Sequence, residues 1–263
     1  MILLAAIHGI LTNQTTASWP DKLDAWMFER APGIKVLKKE YAAGPFPLIN
    51  CWFKDPHLAR GLANEIELFL EPSSHQQSTA NNQLVFVSHS NGAVITLLTC
   101  KILIERGHGI AGIILTGAAC EADISKNGIL QWLTSPANSP ASVAPDPANQ
   151  PSIINNQPAL GFAIAYSSPD DAALPGDPPN CGALTRCLRR AYTLLARPYG
   201  SLGRTGWLLN GCPIENQRSK IENVNSRLLT RIYPGGHSTY FAPDHIESTF
   251  NQILSDIRAN STP

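Results

Sequence analysis

Residues 85–93 read Val-Phe-Val-Ser-His-Ser-Asn-Gly-Ala. An apolar run stops at a Ser-x-Ser-x-Gly turn, and a second apolar stretch begins at Ala93. A nucleophile elbow needs a serine on such a strand-to-helix corner. The strained turn lifts its hydroxyl clear of the sheet, and the helix N-terminus beneath favours negative charge. Residues two before and two after must be small, and Ser88 and Gly92 are. The motif alone is common, because a capping serine in an ordinary turn looks the same. Three other places supply what a nucleophilic serine needs. His8-Gly9 ends an apolar run, so the N–H groups of Ile10 and Asn91 are candidates for the paired donors of an oxyanion hole. Asp170 and Asp171 follow another apolar run, and either carboxylate is able to orient and charge-stabilise a histidine. Glu121 and Asp123 are a weaker alternative. His237, after Gly235-Gly236, can reach across to Ser90 and take its proton. Each piece also has a plainer reading, as a strand-ending glycine, a turn aspartate or a loop histidine. His245 is the rival base, but it lies at the start of a helical pattern. His8 reads as structural, shaping the oxyanion loop, and His89 as packing.

The elements between these residues set their placement. Short all-apolar runs at 2–7, 84–87, 110–115 and 160–166 predict strands buried on both faces. The run at 34–41 carries Lys35, Lys38 and Lys39, as an edge strand tolerates. A last strand is predicted at 227–233. Helices are predicted at 20–30, with Ser18 and Asp21 as start signals, and from Asp55-Pro56 to Leu70. A further one, apolar nearly all round, covers 93–104. Two more are predicted: a basic amphipathic helix at 184–196, and a terminal helix marked by Ile246, Phe250, Ile253, Leu254 and Ile257. Strands alternating with helices imply an α/β fold, with one mostly parallel sheet of about six strands covered on both faces. The segment 134–158, rich in proline, reads as a surface excursion or part of a lid. Because the alternation resumes after it, residues 1–263 read as one domain.

Composition narrows the function. Lys+Arg and Asp+Glu are 20 each among 263 residues, so net charge is zero. That argues against a general nucleic-acid or anionic-membrane surface. No apolar run approaches the roughly 18 residues of a span, so no stable membrane insertion is expected. The first eight residues lack a basic region and read as a strand rather than a secretory signal, which implies a cytoplasmic protein. Six cysteines form no C-x-x-C pair, Cys100 and Cys120 read as buried thiols, and seven scattered histidines offer no metal spacing. No metal or cofactor is expected. Gly107-x-Gly109-x-x-Gly112 matches a dinucleotide fingerprint, but it follows a helix and opens a strand, the wrong way round. Ser238 is no second nucleophile, since Tyr240 stands where an elbow needs glycine.

Taken in order, Ser90, an aspartate and His237 each follow successive strands, and the chain resembles the α/β-hydrolase superfamily. The resemblance runs from His8-Gly9 through Ser88-His89-Ser90-Asn91-Gly92 and Asp171-Ala172-Ala173-Leu174-Pro175 to Gly236-His237. It implies Ser90 as nucleophile, His237 as base, and the N–H groups of Ile10 and Asn91 as oxyanion donors. The family's Asp-x-x-x-Pro setting selects Asp171 over Asp170. Ser88 departs from the usual glycine, and the chain begins at the family's third strand. The implied activity is hydrolysis of a small-molecule or lipid-like carboxylic ester. The alternatives are a thioesterase, amidase or acyltransferase on the same triad, and a non-catalytic binding protein. Leu174, Trp132 and Trp207 are candidates for an acyl pocket, though core packing is the favoured role for each.

Overall fold

The computed structural model of the chain describes residues 1–9, 18–41, 53–70, 83–135, 158–171, 174, 200–215, 224 and 226–261. Ile10, most of the 134–158 excursion and the helix expected at 184–196 lie outside these residues. Six strands form one parallel sheet: β1 (Ile2–Ile7), β2 (Ile34–Lys39), β3 (Gln83–His89), β4 (Ile110–Thr116), β5 (Leu160–Ser167) and β8 (Leu228–Ile232), in the order β2-β1-β3-β4-β5-β8. The expected α/β architecture, one parallel sheet of six strands with helices on both faces, is thus present. The lysine-bearing strand β2 lies at the sheet edge, as its charges predict.

Alternation along the strands feeds two cores. From β1, Leu3, Ala5 and Ile7 face one side, while Leu4 and Ala6 face the other. The first side is covered by α2 (Asp55–Leu70) through Ala59, Leu62, Ala63 and Ile66, and by α3 (Gly92–Glu105). The second is covered by α1 (Trp19–Arg30) through Leu23, Trp26 and Met27. There α6 (Ile246–Asn260) adds Phe250, Ile253 and Ile257. Helix α3 buries nine residues, which accounts for its lack of a polar face.

Smaller elements go beyond the sequence expectations. Short helices α4 (Ile129–Thr134) and α5 (Leu202–Thr205) pack on the first core. A two-stranded ribbon, β6 (Leu208–Leu209) with β7 (Cys212–Pro213), turns through Asn210 and Gly211, both at positive φ. Asp123 pins this ribbon by accepting the Asn210 and Gly211 N–H groups. Within the Gly107–Gly112 stretch, Gly112 serves packing: a Cβ there would lie 2.1 Å from the Phe162 ring.

The winding direction reverses between β1 and β3. In open parallel sheets the crevice at the carboxyl ends of such neighbouring strands is where ligands bind. Gly9 follows one of these strands and Ser90 the other.

Candidate active site

Ser90 sits on a tight corner with φ 55, a left-handed conformation that costs a side-chain-bearing residue about 1–2 kcal/mol. Its backbone is held there from three directions. Its N–H donates to the Thr116 carbonyl (3.2 Å), and its carbonyl accepts the N–H groups of Ala93 (3.2 Å) and Ala119 (3.1 Å). The small residues around it prove to be spacing devices. A Cβ at Gly92 would lie 2.6 Å from the Ile7 carbonyl oxygen and 2.7 Å from that of His8. A Cβ at Gly9 would lie 2.7 Å from Ser90 Cβ. Gly9 therefore serves close approach of β1 to the serine. Ser88, fully buried, pairs with Ile7 on one side and Leu115 on the other.

His237 is brought to Ser90 from the far end of the chain. Its Nε2 lies 2.8 Å from Ser90 Oγ, and its Nδ1 lies 2.8 Å from Asp171 Oδ2. With Nδ1–H donating to the carboxylate, Nε2 is left as the acceptor of the serine hydroxyl. Asp171 is fully buried, whereas the His237 side chain keeps 20% of its surface accessible. Asp170 is exposed to solvent and has no part in this line. The alternative acids are occupied elsewhere: Asp123 in the ribbon, and Glu121 in accepting the Asp123 N–H. His245 stands beside Tyr233, at the start of α6.

The segments that carry Asp171 and His237 are tied to each other. Tyr233 N–H donates to the Ser167 carbonyl (2.7 Å), and the Ser168 hydroxyl donates to the Gly235 carbonyl. Gly235 has φ 101, and a Cβ there would meet the Thr239 side chain at 2.6 Å, so this position requires glycine. Gly236 faces open space and does not. Beneath the loop, Tyr240 is buried and donates its hydroxyl to the Tyr166 carbonyl (3.1 Å).

Asn91 is buried, and among the described residues its N–H has no backbone acceptor. Its side chain is anchored, Nδ2 donating to Tyr41 Oη (3.0 Å) and Asp55 Oδ1 (3.2 Å). The sequence marks Asp55 only as the start of α2. It is in fact fully buried, with its carboxylate turned to Asn91. Burial also pushes the Tyr41 phenol upward. Burial lowers the His8 pKa, and its Nδ1–H donates to the Gly9 carbonyl (3.0 Å). His89, expected to pack only, also makes a hydrogen bond to the His237 backbone. Trp132, Trp207 and Leu174 all lie in the first core. No group of three or more metal-ligating side chains occurs among the described residues.

No family profile and no curated protein sequence matches the chain. Solved structures do match. An uncharacterized protein from Bacillus cereus ATCC 10987 superposes with TM-score 0.51 at 10% identity, over 99% of this chain and 60% of that one. The likeness is one of fold. This chain spans only 60% of that protein's length. An esterase from Pyrococcus furiosus gives TM-score 0.48 at 10% identity, covering 99% of this chain and 83% of that one. The NocB thioesterase domain from the nocardicin cluster gives 0.46 at 11%, covering 98% and 94%. No helix among the described residues is long and apolar enough to cross a membrane.

Proposed function

We propose that this protein is a serine hydrolase that cleaves carboxylic esters through an acyl-enzyme on Ser90. The observation that carries this reading is the unbroken line from Ser90 Oγ to His237 Nε2 and from His237 Nδ1 to Asp171, each step 2.8 Å. A strained serine, a histidine within reach and a buried carboxylate behind it have the geometry of an activated nucleophile.

In this mechanism Ser90 Oγ attacks the ester carbonyl as its proton passes to His237 Nε2. Asp171 stabilises the resulting imidazolium and keeps its own charge. The N–H of Asn91, with that of Ile10, receives the oxyanion. His237 then gives the proton to the departing alkoxide, leaving an ester on Ser90. Water attacks that ester with His237 again as base, releasing the carboxylic acid and the free serine. No step needs a cofactor. The substrate is a small-molecule or lipid-like ester.

The test is labelling with a fluorophosphonate, followed by peptide mapping, on the natural protein and on Ser90→Ala. An adduct on Ser90 that the variant lacks supports the reading. No adduct on any serine overturns it. Hydrolysis of an ester, a thioester and an amide sharing one butyryl group then separates the leaving-group classes. Ester cleavage should be fastest, and a thioester preference would move the activity to the thioesterase alternative.

A further inference from the structure

We propose that His89 is a positioning residue for the base: its ring holds the His237 backbone and thereby sets the His237 ring between Ser90 and Asp171. This rests on the reading of Ser90 and His237 as nucleophile and base. His89 immediately precedes Ser90, yet its side chain turns toward the opposite loop. Nε2–H donates to the carbonyl oxygen of His237 at 2.9 Å. That bond spans 148 residues and joins the nucleophile's own turn to the loop that delivers the base.

The His237 backbone has little else to fix it. Among the described residues, neither its N–H nor its carbonyl enters a backbone–backbone hydrogen bond. Its neighbour Gly235 is in a glycine-only conformation, and a Cβ at Gly236 would meet nothing within 4 Å. His89, in contrast, is rigidly placed. It is 8% exposed and meets Phe241 edge-on at 5.4 Å and Tyr240 at 6.2 Å. Its ring centroid is 4.8 Å from that of His237. Gly117 makes room for both rings: a Cβ there would lie 3.3 Å from His89 Nε2 and 3.4 Å from His237 Nδ1.

The neutrality of His89 matters as much as its position. Burial, helped by the neighbouring His237 and His8, pushes its pKa down to about 3. His89 therefore stays an uncharged donor while His237 gains and loses its proton. A charged ring at this distance would oppose the imidazolium that the mechanism requires.

Three variants separate positioning from packing. His89→Gln keeps an N–H near the same place, His89→Met has similar length and no donor, and His89→Phe keeps an aromatic ring and no donor. Each is measured for its rate of Ser90 phosphonylation by a fluorophosphonate and for kcat and KM on p-nitrophenyl butyrate. A base displaced by around an ångström lowers rate by up to about 100-fold, so Met and Phe should lose about 10- to 100-fold in kcat with KM within about twofold. Gln should recover to within about fivefold of the natural protein, by the same reasoning. Thermal unfolding checks that the variants are folded, and should Met fail to fold, the Phe–Gln contrast decides. Met and Phe reacting as fast as Gln overturn the proposal. So do three equally slow variants, which would make His89 a packing residue. If the natural protein takes no label at Ser90, the hydrolase reading fails and this inference falls with it.

Discussion

Replacing Gly92 by alanine tests whether the elbow is built by close approach of two backbones. The new Cβ would lie 2.6 Å from the Ile7 carbonyl oxygen and 2.7 Å from that of His8. Reaching ordinary contact requires the end of β1 to retreat by about 0.8 Å. That strand is held on both flanks, by β2 and by β3, so it has nowhere to go without breaking register. Overpacking of this kind costs about 1–3 kcal/mol. At about 2–4 °C per kcal/mol for a chain near this size, a value of 2 kcal/mol lowers Tm by about 4–8 °C. The atoms displaced are those that carry Gly9 against Ser90, so phosphonylation should slow by about 10- to 100-fold. Gly61 supplies the opposite sign. It is exposed in α2, a Cβ there would have nothing within 4 Å, and alanine should stabilise by about 0.5–1 kcal/mol. Differential scanning calorimetry and fluorophosphonate kinetics read both variants. Gly92→Ala with unchanged Tm and labelling rate would refute the close-approach argument.

Other perturbations reach other parts of the molecule. Gly9→Ala places a Cβ 2.7 Å from Ser90 Cβ and 3.4 Å from Oγ, and should cut the Ser90 labelling rate by about 100-fold. Asp256 is buried and held by the Tyr166 hydroxyl (2.7 Å) and by Arg231 Nε (2.8 Å) and Nη2. Arg231→Met leaves that charge without its main partner and should cost about 3 kcal/mol in urea unfolding, while adding Asp256→Leu should recover part of the loss. For Asp123, burial raises the carboxyl, but hydrogen bonds from Ser125 and the Asn210 and Gly211 N–H groups prevail and hold it below the usual value. Its contribution is therefore present above the unfolded value near 3.9 and is lost as pH falls through the folded one. Asp123→Asn should be less stable than the natural protein at pH 6, and the gap should close in strong acid. Burial raises the thiols of Cys100 and Cys120, whereas Cys212 is exposed. Iodoacetamide should modify Cys212 in the native protein and the other two only after unfolding, as read by peptide mapping.

The six sheet strands are legible in the sequence because each is an uninterrupted apolar or β-rich run, and their bounds shift by only a few residues. The charges of Lys35, Lys38 and Lys39 place β2 at the edge for the same reason. Ser90 and His237 stand out because turn chemistry marks them. Asp171 is separable from Asp170 only through a family resemblance, whereas folding buries one and exposes the other. The β6–β7 ribbon is not legible although Asn210-Gly211 suits a tight hairpin, since two-residue strands have no alternation to read. Asp55 and His89 read as residues with local roles only. Their partners, Asn91 and the His237 carbonyl, are 36 and 148 residues away, and no local pattern encodes a contact over that distance.

The strand order has a consequence in time. Gly9 follows β1 and Ser90 follows β3, but His237 follows β8, the last strand of the sheet and the one at its edge. Ser90 and His237 are separated by 147 residues of chain. At a synthesis rate of about 5–20 residues per second, roughly 7–30 s pass between the emergence of the two. Throughout that interval the segment that reaches Ser90 in the finished fold is absent from the nascent chain. Docking of β8 onto β5 therefore completes the sheet and brings His237 to 2.8 Å from Ser90 in the same event.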